Sequence, residues 1–274
     1  MSIQHHIRLG RLFLISALLI VSLPGPGRAE PDYGERAGAW DQPVAGTLPD
    51  GALKIGFFRP LTYGLTDRLQ IATHPLLDFV IPNVSLQIWH HRGITWDIAT
   101  RHTLVYPTML LRMLTRRGEF GIIAKDPTIP QIPQMIALTS EVVASRPVGE
   151  SGYFTGAAGV TLSVRSGPLD SRTTIDVPLV FPRLRPYYTG AGLTGSVDQG
   201  GVFNRWFDYR LEGNLFWFPG SGQNVFVEQR SLLIWKPWDP FRLGFGTLLT
   251  FGAYPFGRHW QLLPLLDIQW LLKR

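Results

Sequence analysis

The 274-residue chain is 45% hydrophobic and 12% aromatic but only 17% charged, with 29 glycines, 22 prolines and no cysteine. The missing cysteine excludes a disulfide framework, thiolate metal sites and a cysteine nucleophile. Low charge with many aromatics argues against disorder, and the charged fraction falls short of the roughly one quarter usual in soluble domains. The net charge of +6 is no nucleic-acid signal, because Arg8, Arg11 and Arg28 lie in the first 29 residues with no acid. Without them, 23 basic residues face 20 acidic ones and the charge is +3.

Residues 1–29 read as a secretory signal peptide. Arg8 and Arg11 make a positive start, residues 12–23 an apolar run, and Gly27 and Ala29 a small-residue cleavage site. The run is shorter than the ~20 residues of a spanning helix. Residues 30–50 are polar and rich in small side chains, an extended lead-in. Residues 51–274 form the remaining domain, and their dominant signal is a period of two.

That signal first appears as Leu53 and Ile55 alternating with Lys54 and Gly56, then Leu69 and Ile71 with Gln70 and Ala72. Val84, Leu86 and Ile88 alternate with Ser85, Gln87 and Trp89, and Ile94, Trp96 and Ile98 with Thr95, Asp97 and Ala99. Residues 108–117 carry Met109, Arg112, Met113 and Arg116 at helical spacing, and residues 126–133 hold three prolines and read as loop. Ile136, Leu138 and Val142 continue the alternation, followed by Gly156 through Val164 and by Ile175, Val177, Leu179 and Phe181.

The clearest alternation lies at the C-terminal end. In residues 206–218 an odd apolar face opposes Trp206, Asp208, Arg210, Glu212, Asn214 and Phe216. In 241–254 the even face carries Arg242, Gly244, Gly246 and Gly252; in 260–272 Leu266 and Ile268 oppose Asp267 and Gln269. Strands of about 13 residues exceed the ~5–6 typical of soluble sheets and suit a tilted bilayer crossing. Trp217, Trp235, Phe241, Trp260 and Trp270 stand near strand ends, as an aromatic girdle requires. The expected fold is all-β: a closed antiparallel transmembrane β-barrel of 10–12 strands, 12 favoured, with short turns on one side and longer loops on the other. Closure follows because an unpaired strand edge in hydrocarbon costs several kcal/mol per group.

With its signal peptide and girdled strands over 51–272, the chain resembles Gram-negative outer-membrane β-barrel proteins. Residues 61–73 (LTYGLTDRLQIAT) look like an early hairpin of poorly characterised barrels, with Thr66 and Asp67 capping the turn and Arg68 pairing nearby. The resemblance implies an outer-membrane location, lipid and the barrel-assembly machinery as partners, and a small solute or another envelope protein as a further partner. Such barrels usually end on an aromatic residue, whereas here Trp270 is followed by Leu271, Leu272, Lys273 and Arg274.

The chemistry is sparse. His90 and His91 are adjacent, and neighbours on a strand point to opposite faces, so one ion cannot take both. His102, Ser140, Asp97 and Glu141 supply the residue types of a hydrolase triad, but no Gly-x-Ser-x-Gly elbow or P-loop lysine occurs. No cofactor, metal or nucleic acid is expected. Asp208, Arg210, Glu212, Glu228, Arg230, Arg242 and Asp267 form the expected lumen charge network, and Arg165, Arg172, Arg183 and Arg185 are candidate lipid-phosphate contacts. The expectation is a non-enzymatic barrel with a narrow, charged, obstructed lumen and a structural or small-solute role. The alternatives are a lipid-hydrolysing barrel enzyme and a soluble periplasmic β-sandwich or lipid-binding barrel.

Overall fold

The computed structural model describes residues 44–56, 60–74, 81–93, 95–114, 131–149, 151–175, 177, 180–220, 224–238, 240–254 and 257–272. Residues 1–29, expected to be a signal peptide, and most of the lead-in lie outside them. The strands are β1 (Leu53–Gly56), β2 (Leu61–Thr66), β3 (Leu69–Thr73), β4 (Asn83–Arg92), β5 (Asp97–Val105) and β6 (Met135–Val148). They continue as β7 (Gly152–Arg165), β8 (Ala191–Asn204), β9 (Phe207–Trp217), β10 (Val225–Trp238), β11 (Phe241–Tyr254) and β12 (Gly257–Leu272). Every strand pairs antiparallel with its chain neighbours, and β1 pairs with β12, so the sheet is a closed barrel of 12 strands. No helix among the described residues is long and apolar enough to cross a membrane.

The connections differ at the two ends. Turns β2–β3, β4–β5, β6–β7, β8–β9 and β10–β11 are short, and share their end with the start of β1 and the end of β12. The opposite end carries the long β5–β6 and β7–β8 connections. These hold helix α1 (Thr108–Leu114) and helix α2 (Phe181–Thr189).

Register fixes the tilt. A row of paired residues leaves β12 at Leu272 and passes through Leu53, Tyr63, Ile71, Leu86, His102, Ser140, Val160, Leu193, Trp217 and Val225. It re-enters β12 at Arg258, 14 residues from where it began. With about 3.3 Å per residue and about 4.8 Å between strands, this stagger gives a tilt of about 40° and a backbone radius of about 12 Å.

Burial follows the alternation. Leu262, Leu266 and Trp270 are exposed on β12 while Asp267 and Gln269 are buried; Phe245 is exposed on β11 while Arg242, Leu248 and Thr250 are buried. On β9–β12 the outward aromatics form two arcs, called rings below: Trp217, Phe251 and Trp260 toward the loops, and Trp235, Phe241 and Trp270 toward the short turns. Phe251 packs at a tilt against Trp260 with centroids 4.6 Å apart, and Phe241 meets Trp270 edge-on at 5.8 Å. The tilt sets the rings about 25 Å apart in height, the thickness of the apolar band of a transmembrane barrel. An exterior of exposed Leu, Val and Phe between aromatic rings suits hydrocarbon as its solvent.

Three sequence expectations change. The described residues among 175–181 form no strand: α2 starts at Phe181, with Pro182 presetting the first turn, and ends at Gly190, whose φ of 84° forms a left-handed cap. Trp206 lies in the β8–β9 turn, exposed beneath Arg205, rather than on the inner face. β5 begins at Asp97, so Thr95 and Trp96 belong to the preceding turn. The helix expected over 108–117 is present as α1; residues 115–117 and 126–130 lie outside the described residues.

Candidate functional site: the barrel interior

Inward-facing side chains meet two non-barrel segments. Toward the short turns, residues 44–48 run along β3, β4 and β6 and are buried, with Ala45 and Leu48 fully so. Gln87 Nε2 donates toward the carbonyls of Val44, Ala45 and Gly46 at 2.9, 3.1 and 3.0 Å. Ala45 N–H donates to Ser145 Oγ at 2.7 Å and Leu48 N–H to Gln70 Oε1 at 2.9 Å. Thr47 Oγ1 donates to the Asp67 carbonyl at 2.8 Å, and Asp50 N–H to Asp67 Oδ1 at 3.2 Å. The Thr66–Asp67 turn thus anchors the lead-in, while Arg68 N–H donates to Thr66 Oγ1 at 3.2 Å. Gly64 is glycine for this reason: a Cβ there would lie 2.1 Å from the Pro49 carbonyl oxygen.

Toward the loops, α2 turns inward. Arg183 Nη1 and Nη2 donate to Glu228 Oε1 and Oε2 at 2.7 and 2.9 Å, a bidentate pair on a fully buried carboxylate. Phe181 packs on Phe226 and Tyr254, each with centroids 5.5 Å away, and Phe218 lies 5.8 Å from Phe226. Gly252 leaves room for this cluster, since a Cβ there would come within 2.1 Å of the Phe226 ring. Leu184 and Tyr187 join Leu111 and Leu114 of α1, Ile132, Met135 and Ile175 in the largest apolar cluster of the described residues. Burial pushes the Tyr187 phenol well above its ordinary pKa, so it stays a neutral donor to the Val105 carbonyl at 3.3 Å.

Between these segments the walls carry charge. Arg210 Nε donates to Asp198 Oδ2 at 2.6 Å and its Nη2 to Glu212 Oε2 at 2.8 Å. Arg230 Nη1 reaches Glu212 Oε2 at 3.3 Å, and Asn214 Nδ2 donates to Glu212 Oε1 at 2.8 Å. On the facing wall Arg101 lies 3.7 Å from Glu141 and donates to Gln87 Oε1 at 3.1 Å. The predicted residues are therefore distributed over several groups. Glu228 is taken by Arg183, Asp208 pairs with Lys236, Asp267 accepts from Gln269 at 2.7 Å, and Arg242 donates to the Trp238 and Phe241 carbonyls. Asp198, Arg101, Glu141 and Lys236 were missed as interior charges, although even positions on β8 and odd positions on β5 and β6 mark the inner face.

The four arginines expected at lipid phosphates do not form one cluster. Arg183 faces the interior. Arg172 pairs with Asp170 at 2.7 Å, and that hydrogen bond holds the exposed carboxyl down to a pKa of about 2. Arg185 lies 5.8 Å from the Phe181 ring, and Arg165 is exposed at the end of β7.

Sequence spacing hid one pair. His102 and Ser140 are cross-strand partners on the outer face, with Nδ1 and Oγ 3.1 Å apart. Their row crosses about midway between the aromatic rings, some 10 Å from where lipid ester carbonyls lie. Exposed Leu104, Leu138 and Val142 surround them, Asp97 and Glu141 occupy the opposite, inner face, and neighbouring N–H groups lie in the ladder. That geometry satisfies two polar groups on an apolar face, and among the described residues no carboxylate bonds the imidazole. His90 Nε2 meets Thr100 Oγ1 at 2.7 Å, and no metal-ligand cluster occurs among the described residues. The Gly190–Gly195 stretch has Gly-x-Gly-x-x-Gly spacing, but it follows a helix and enters β8, the reverse of a dinucleotide loop.

No family model matches the chain, and no curated protein does. Among solved structures it is similar to the outer membrane channel DcaP of Acinetobacter baumannii, with a TM-score of 0.40 and 10% identity. The match covers 80% of this chain and 62% of that one, so the chain spans less than two thirds of the channel's length.

Proposed function

We propose that this protein is an outer-membrane barrel of a Gram-negative bacterium whose interior is closed to free diffusion at rest and holds or passes a small solute only when one of its two internal segments moves. The observation that supports this reading is the pair of inward attachments: residues 44–48 bonded to Gln87, Ser145 and Gln70, and α2 bonded through Arg183 to Glu228. A backbone radius of about 12 Å leaves little width once inward side chains and a further segment are subtracted. Exporting the chain removes residues 1–29, and lipid and the assembly machinery are its partners on the way.

The role is structural or transport-related rather than enzymatic. Arg101–Glu141 and the Arg210 group line a polar layer between the two segments, suited to a small charged or zwitterionic solute. In planar bilayers the wild type gives little or no steady conductance. Arg183→Ala with Glu228→Gln frees α2 without leaving a lone buried charge, and raises conductance several-fold. A wild type with large, steady, porin-like conductance refutes the closed-interior reading.

A further inference from the structure

The outer face beside the short turns carries a cluster that passage through the interior does not use. Arg146 stands on the outward side of β6, since flanking Ser145 faces inward to the Ala45 N–H. Its guanidinium lies 5.4 Å from the Trp96 ring centroid and 5.9 Å from that of Phe154, its direct cross-strand partner. Among the described residues no carboxylate pairs with it, and its Nε is buried without a hydrogen-bond partner.

One strand further, Gln199 pairs with Phe154 and faces the same side. It is only 3% exposed, its Nε2 donates to the Tyr209 hydroxyl at 3.5 Å, and its Oε1 has no partner. The Tyr209 ring lies over Gly201, where a Cβ would come within 3.3 Å of it.

Depth decides what such a cluster can meet. Arg146 is six residues toward the turns from Ser140, which places it about 15 Å from the midplane and level with the ring of Trp235, Phe241 and Trp270. That is headgroup height. Held between two rings, the guanidinium presents a fork that matches two phosphate oxygens. The buried Gln199 carbonyl asks for a donor, which a headgroup hydroxyl or ammonium supplies and an acyl chain does not.

We propose that Trp96, Arg146, Phe154, Gln199 and Tyr209 form an exterior site for the phosphate headgroup of a phospholipid in the leaflet next to the short turns. The proposal rests on the membrane-spanning reading of the barrel.

The test reconstitutes the full chain in vesicles of phosphatidylglycerol and phosphatidylcholine, extracts it in mild detergent and counts retained lipids by native mass spectrometry. Wild type keeps one phospholipid. Arg146→Gln, inserted to the same extent, keeps it about tenfold less, because hydrogen bonds to a charged group are lost. Arg146→Lys retains an intermediate amount, and millimolar inorganic phosphate does not displace the lipid. Equal retention by Arg146→Gln overturns the site, and displacement by inorganic phosphate turns it into a free-anion site. Failure of wild type to insert at all would count against the membrane reading instead.

Discussion

Replacing Leu266 with arginine puts a charge where the barrel is most apolar outside. Leu266 is 52% exposed on β12, and its cross-strand neighbour Phe245 is exposed beside it. Counting along the tilted strand from Trp260 to Trp270, it sits within about 3 Å of the midplane. A lipid-facing arginine at the midplane costs about 2–4 kcal/mol, falling to about 0–1 near the interfaces. Leu262, about 8 Å from the midplane toward the loop-side ring, should carry an intermediate cost. With a urea slope of about 2–3 kcal/mol/M for a domain of this size, Leu266→Arg lowers the unfolding midpoint in vesicles by about 1–2 M. Tryptophan fluorescence against urea, with heat-modifiable electrophoresis as the folding check, reads the shift. Equal midpoints for Leu266→Arg, Leu262→Arg and wild type would refute the assignment of this face to hydrocarbon.

Arg210→Met leaves Asp198 buried without its strongest partner, and should cost about 3–5 kcal/mol by the same urea assay; Arg210→Met with Asp198→Leu should recover most of it. A double variant as unstable as the single one would show that the pair is not what matters there. Gly64→Ala drives a methyl into the Pro49 carbonyl, so hydrogen exchange at the Ala45 and Leu48 amides should speed up with the barrel intact. Unchanged protection at both amides would show that the lead-in docks elsewhere.

The fold was legible because period two needs no long-range information. Odd and even positions on β9, β11 and β12 separate Leu215 from Asn214, Phe245 from Gly244 and Leu266 from Asp267, and the structure keeps each separation. Closure follows from the same pattern once hydrocarbon is the solvent, while the strand number is bounded only to ten to twelve, of which the structure has twelve.

The interior was legible only in part, because it depends on which strands meet. Asp198 is unremarkable in a Gly-rich stretch until register sets it opposite Glu212 and diagonal to Arg210. His102 and Ser140 are 38 residues apart and become partners only through the β5–β6 ladder. Helix α2 escaped because Ile175, Val177 and Phe181 alternate like a strand, while the features that make the helix are Pro182 at its start and Gly190 at its end. The lead-in looked like a polar tether. Its hydrogen-bonding backbone is what suits it to a polar interior, where Gln87 can hold three carbonyls.

The central claim, that both internal segments shut the barrel interior at rest, is tested most directly by thiol labelling, for which the cysteine-free chain gives no background. Ser196→Cys places a single thiol on the inner wall of β8 between the two segments, and Asn204→Cys places one at the exposed strand end as the reactive control. A charged, membrane-impermeant thiol reagent added from both sides should label Asn204→Cys within minutes and leave Ser196→Cys untouched until Arg183→Ala and Glu228→Gln are introduced. Rapid labelling of Ser196→Cys in the otherwise wild-type barrel would contradict the account.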